Sequence, residues 1–170
     1  MRIHVLERQQ RIELPLAEVF AFYADAGNLE RITPPWLGFE VTTPRPIEIG
    51  VGALIEYRLR LHGIPVKWRT RIEEWRPPHR FVDAQLSGPY ALWHHTHTFR
   101  ADGKGTTVLG DRVRYAVPFG PAGEVARALL VDRDLEQIFD YRQEAVADIL
   151  GNGGAAGGTG TACGDSAPRG

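Results

Sequence analysis

Two hydrophobic periods divide the chain, one of two residues and one near 3.6, and they predict strands and helices respectively. His4, Leu6, Arg8, Gln10, Ile12 and Leu14 alternate with Val5, Glu7, Gln9, Arg11 and Glu13, a weak alternation that suits an edge strand. Pro15 then fits the first turn of a helix, and Leu16, Val19, Phe20 and Tyr23 recur as one apolar stripe. Asn28 to Ile32 reads as a second short helix, stopped by Pro34 and Pro35. Strands follow at Phe39–Thr43 and Ala53–His62, where Ile55, Tyr57, Leu59 and Leu61 oppose Glu56, Arg58, Arg60 and His62. After a turn at Gly63, Val66, Trp68, Thr70 and Ile72 alternate with Lys67, Arg69, Arg71 and Glu73. Pro77 and Pro78 break the chain, and Arg80–Ser87, Tyr90–Arg100 and Thr106–Val117 complete a meander, the last pair joined by a hairpin turn at Ala101–Gly105. A helix from about Pro121 to Leu150 closes the pattern. Ala128, Val131, Leu135, Ile138, Phe139, Val146 and Ile149 share its apolar face, a stripe suited to covering a sheet.

From Gly151 onward large apolar residues vanish, and a glycine-rich stretch cannot repay the entropy of ordering. We expect one domain over 1–150 and a disordered tail over 151–170. The order strand, two short helices, about six or seven antiparallel strands and one long helix indicates an α+β fold with one sheet face covered. A curved sheet wrapped on a long helix leaves a space where ligands bind. Net charge is −1, which gives no reason to expect nucleic acid or an anionic membrane as partner. No apolar run approaches the roughly 18 residues of a membrane span, and the N-terminal residues lack a signal-peptide pattern. The single cysteine, Cys163, precludes a disulfide framework within one chain and fits a reducing, cytoplasmic location.

Several segments resemble the bacterial ligand-binding branch of the START-like (SRPBCC) superfamily. They are Arg80-Phe81-Val82-Asp83-Ala84-Gln85 with Gly88-Pro89-Tyr90, and Trp93-His94-His95-Thr96-His97-Thr98-Phe99. Further on come Asp111-Arg112-Val113-Arg114-Tyr115 with Pro118-Phe119-Gly120, and Phe139-Asp140-Tyr141-Arg142. The resemblance covers residues 3–150. It implies the helix-grip fold, a curved antiparallel sheet around a long C-terminal helix, as in the birch pollen allergen type and in polyketide cyclases and aromatases. It implies little about chemistry, because fold alone does not fix function.

The densest chemical cluster is Trp93–His97. Trp93, His95, His97 and Phe99 share a strand face, and their aromatic company points both histidines inward. Histidines two apart are compatible with a metal, but no third histidine follows and no metal motif is present, so neither metal nor other cofactor is expected. They serve as hydrogen-bonded groups in a polar part of a cavity, as ligand contacts, or as proton donor and acceptor. Asp83 shares a face with Phe81, Gln85 and Ser87, against Val82, Ala84 and Leu86, and either face can be the inner one if the sheet is bulged. Asp111 alternates with Val113, Tyr115 and Val117 and so lies inward, needing His95, His97 or Arg142 as partner. Arg142 falls on the apolar face of the last helix. It snorkels, pairs with Asp83 or Asp111, or binds a ligand carboxylate or hydroxyl.

These positions define a candidate ligand site: Tyr57, Trp68, Gln85, Trp93, His95, His97, Phe99, Tyr115, Phe139 and Arg142, with Leu59 and Trp36 as cavity wall or core. The expected function is binding or transport of a small hydrophobic molecule (lipid, polyketide or isoprenoid-like) by a monomer or homodimer. The alternative is a cyclase or dehydratase using His95 or His97 with Asp83 or Asp111 as acid and base. A third reading, an interaction module with a closed interior, requires a large exposed apolar patch. Phosphate-binding glycine loops and nucleophile elbows are missing from the sequence: Gly50-Val51-Gly52 precedes a strand, and neither Ser87 nor Ser166 sits in an elbow.

Overall fold

The computed structural model describes residues 1–103 and 105–151. Its seven strands are β1 (His4–Ile12), β2 (Glu40–Val41), β3 (Leu54–Leu61), β4 (Ile64–Arg76), β5 (Arg80–Ser87), β6 (Leu92–Ala101) and β7 (Thr107–Ala116). They form one antiparallel sheet in the order β1-β7-β6-β5-β4-β3-β2. This is a meander whose first strand returns to pair with the last. Between β1 and β2 lie α1 (Leu16–Ala24) and two 3₁₀ turns, Ala26–Leu29 and Pro35–Leu37. The chain then ends in α2 (Gly120–Ala126), a π-helical turn (Arg127–Val131) and α3 (Asp132–Gly151). The helix-grip fold is therefore present. Of the expected tail, Gly151 instead closes α3, and the remainder, with Cys163, lies outside the described residues.

Local chemistry accounts for most of these elements. The β3–β4 hairpin turns on His62 and Gly63, both at positive φ (50° and 82°), between the paired Leu61 and Ile64. That is the two-residue turn whose twist matches its strands. The 3₁₀ turn after α1 begins where the Asp25 carboxylate accepts the Gly27 N–H at 2.8 Å. β1 is tied to α3 by a reciprocal amide exchange: Gln10 donates to the Gln143 carbonyl, and Gln143 to the Gln9 carbonyl.

Two of the core's centres join helices to the sheet. One joins α1 and the end of α3 to the sheet through Val19, Phe20, Phe81, Phe99, Leu109 and Val146. The other packs Leu135 and Phe139 of α3 on Val113 and Tyr115 of β7. Each fully buried side chain of this kind contributes roughly 1.5–3 kcal/mol. Among the described residues, no helix is long and apolar enough to cross a membrane.

Two expectations about apolar residues need correction. Ala128 is exposed, because the π turn widens the helix there and carries the preceding residues off the apolar face. Trp36 is 58% exposed and lies edge-on against Tyr141 at 5.5 Å, outside the core.

Candidate functional site

β6 lies inside the sheet between β7 and β5, so a side chain on its inner face has neighbours on both sides. His95 stands opposite Asp83 of β5, and His97 stands opposite Asp111 of β7. The bonds run along the diagonals: His97 Nε2 lies 3.0 Å from Asp83 Oδ2, and His95 Nε2 lies 2.9 Å from Asp111 Oδ1. His97 Nδ1 is also 3.0 Å from Asp111 Oδ1, within ion-pair range though not aligned as a hydrogen bond. The two ring centroids lie 3.8 Å apart with the planes tilted by 38°, and both histidines are 4% exposed. Asp83 thus faces inward, a choice the strand pattern left open. Register shifts between β4 and β5 at Arg69/Thr70 and Ile72/Glu74 displace the simple alternation beside it.

Burial and charge act against each other throughout this cluster. Burial alone would raise both carboxyls, but their bonds to the histidines outweigh it, and Asp83 and Asp111 are held below the usual carboxylate range. Burial lowers His95, and the neighbouring His97 charge lowers it further, more than Asp111 restores. His97 also suffers burial, but its contacts with Asp111 and Asp83 win and raise it. The geometry therefore favours a charged His97 held between two carboxylates beside a neutral His95.

The space between sheet and helices is a cavity of about 170 Å³. Tyr57, Trp68, Trp93, His95, His97, Phe139 and Arg142 of the expected ligand contacts line it, as does Asp83. Gln85, Phe99 and Tyr115 do not. Gln85 points to the β5–β6 loop, where its amide donates to the Tyr90 carbonyl. Phe99 is one strand step too far toward the α1 core. Tyr115 packs at the other core centre and donates its hydroxyl to Asp132. Asp111 lies behind the histidines, outside the lining.

Arg142 departs from expectation in a different way. It makes no ion pair with Asp83 or Asp111. Its guanidinium lies over the Phe139 ring at 5.2 Å, and its Nε lacks a hydrogen-bond partner among the described residues. Tyr23 OH and Trp68 Nε1 are likewise buried without partners and line the same cavity. Tyr23 was legible only as part of the α1 stripe, because nothing local distinguishes a tyrosine with a working hydroxyl from a core ring.

A family model described as polyketide cyclase / dehydrase and lipid transport matches residues 4–148. By sequence, no curated protein matches the chain. Solved structures of the same architecture do. A START superfamily protein from Mycobacterium smegmatis is 11% identical with a TM-score of 0.63, covering 86% of this chain and 99% of its own. The Zhui aromatase/cyclase from Streptomyces sp. R1128 is 17% identical with a TM-score of 0.65, covering 93% and 100%. A norcoclaurine synthase point mutant from Thalictrum flavum is 15% identical with a TM-score of 0.61, covering 87% and 96%.

Proposed function

The chain belongs to the polyketide cyclase / dehydrase and lipid transport family, and from that premise we propose that it binds a small, compact, largely apolar molecule in the chamber between sheet and helix. One observation carries this reading. The chamber has an aromatic and aliphatic wall, and three buried donors, Tyr23 OH, Trp68 Nε1 and Arg142 Nε, without hydrogen-bond partners among the described residues. Buried polar groups are rarely left unmatched, so these donors fit an oxygen-bearing ligand. The volume decides among ligand sizes. Drug-sized ligands occupy clefts of roughly 300 Å³ or more, whereas a cavity near 150 Å³ holds a benzene-sized molecule. The size supports a one- or two-ring polyketide-like or isoprenoid-like compound over a long-chain lipid. The lone cysteine supports a cytoplasmic setting.

Three of the four tryptophans, Trp68, Trp75 and Trp93, line the chamber, so intrinsic fluorescence reports its occupancy. Titration with 2-naphthoic acid and 2-naphthol is expected to quench that fluorescence saturably and to raise the melting temperature. Full occupancy at a hundredfold excess over Kd stabilises the fold by about 2.7 kcal/mol. No saturable quenching by either probe, together with no co-purifying molecule in native mass spectra, would sink the proposal.

A second reading is favoured by the His97–Asp83 pair, both of whose members face the chamber. Such a pair can take a proton from a carbon next to a carbonyl and return one to a departing hydroxyl. If the chamber is an active site, a β-hydroxyketone loses water over the protein, and His97→Gln slows that loss a hundredfold or more, since acid–base assistance is worth about 10²–10⁴.

A further inference from the structure

The four polar residues of the cluster divide their atoms between two directions. Asp83, His95 and His97 line the chamber, whereas Asp111 sits behind them. The ring nitrogens divide in the same way. His95 Nε2 and His97 Nδ1 both turn to Asp111 Oδ1, at 2.9 and 3.0 Å. The opposite nitrogens, His95 Nδ1 and His97 Nε2, both turn to Asp83 Oδ2, at 3.8 and 3.0 Å. One donor atom from each of Asp83, His95 and His97 thus lies within 4.8 Å of the other two. From this division we infer that Asp83, His95 and His97 form a binding site for a divalent first-row transition ion, with Asp111 as the residue that orients both imidazoles.

The spacing fits the chemistry. Metal–nitrogen and metal–oxygen bonds of about 2.1 Å place adjacent donors roughly 3.0–3.4 Å apart. The observed 3.0 and 3.8 Å to the Asp83 oxygen bracket that range, and the two ring nitrogens lie within 4.8 Å of each other, so side-chain adjustment brings the three donors round one ion. A ligating imidazole usually donates its far N–H to a carboxylate, which sets the tautomer and makes the near nitrogen a better donor. Asp111 makes this bond with His95, and His97 Nδ1 lies within ion-pair range of the same oxygen. Two histidines and one carboxylate leave further coordination positions open, the arrangement that suits Fe²⁺ or Zn²⁺ rather than a closed structural site. Those positions face the chamber, where a carbonyl, enolate or hydroxyl oxygen of the ligand can complete the shell. Counting histidines alone argued against a metal; the third donor came from the neighbouring strand.

The ligand oxygen rests on the chamber reading proposed above, but metal binding does not, and the two are separable. Chelator-treated full-length protein titrated with Co²⁺ alone is expected to take up one ion per chain and to develop the visible absorption of low-coordinate Co²⁺. Zn²⁺ titrated alone should shift the ring nitrogen resonances of His95 and His97 in nitrogen-15 spectra, a readout that needs no variant. Asp83→Asn and His95→Gln should each abolish stoichiometric uptake. Asp111→Asn should weaken it roughly ten- to hundredfold, and His79→Gln, on the surface, should leave it unchanged. No stoichiometric uptake by the wild-type chain overturns the inference. So does uptake that leaves both ring resonances unmoved, or that survives Asp83→Asn and His95→Gln. If naphthol binds and metal does not, this inference fails and the chamber stands; if metal binds and no probe does, the reverse holds.

Discussion

At the scale of single residues, what could be read from the chain was direction, and what could not was reach. The inward turn of His95 and His97 followed from Trp93 and Phe99 beside them on β6, and Asp111 followed from Val113 and Tyr115. Arg142 shows the limit. Projection placed it correctly on the inner side of the last helix, but its guanidinium rests on Phe139 rather than reaching a carboxylate. A cation over a ring is worth about 0.5–2 kcal/mol, and burying an unpaired cation offsets much of that. Arg142→Met is therefore expected to leave unfolding free energy within about 1 kcal/mol of wild type. A charge-assisted hydrogen bond is worth about 1.5–3 kcal/mol, so the same change should weaken 2-naphthoate roughly ten- to hundredfold while naphthalene binds as before. Parallel loss of both ligands, measured by tryptophan quenching, would show that Arg142 only shapes the wall.

At the scale of elements, the meander was the most legible part, since its alternations of Ile55 to Leu61 and Val66 to Ile72 have no helical equivalent. The last helix was legible in extent but not in phase. Its π turn at Arg127–Val131 adds a residue that a constant rotation per residue does not anticipate, which is why Ala128 was misplaced. The turn leaves Val125, Leu129 and Leu130 exposed. Nor did the pattern show how the β3–β4 hairpin meets α3. His62, at the hairpin tip, is 2.7 Å from Asp134 on α3. The recess around them shares Leu37, Leu61 and Ile138 with the chamber wall. The pair bridges two elements beside the chamber, so a route for ligand between hairpin and helix would have to part it. Exposed ion pairs contribute only about 0–1 kcal/mol, so Asp134→Ala should barely change stability. Stopped-flow quenching should instead show both association and release of 2-naphthol faster by a few-fold, with Kd nearly constant. Unchanged rates would place the route elsewhere.

At the scale of the molecule, the buried cluster makes stability depend on pH in a way that can be signed group by group. Asp83 and Asp111 titrate lower in the folded chain than in the unfolded one. Their stabilisation is therefore complete above the unfolded carboxylate value of about 4 and is lost as pH falls toward their folded values. His95, lowered by burial, acts in the same sense: the unfolded chain takes up its proton below about 6.5 while the folded chain resists. His97 has the opposite sign. Raised against burial by Asp111 and Asp83, it contributes fully below about 6.5 and loses that contribution as pH climbs through its folded value. Stability of the chelator-treated protein should thus fall on both sides of neutrality, more steeply in acid, where each carboxylate adds up to about 1.4 kcal/mol per pH unit. Asp111→Asn removes one acid-sensitive group and a main support of the His97 charge. Its overall stability should drop by roughly 3–5 kcal/mol, as for other broken buried pairs, while its acid slope becomes shallower and its alkaline decline, still starting near the unfolded histidine value, is smaller and ends at lower pH. Urea unfolding of both proteins across the pH range measures each limb directly. An acid slope in Asp111→Asn equal to that of the wild type would mean that the buried histidine–carboxylate cluster does not govern how this fold responds to protons.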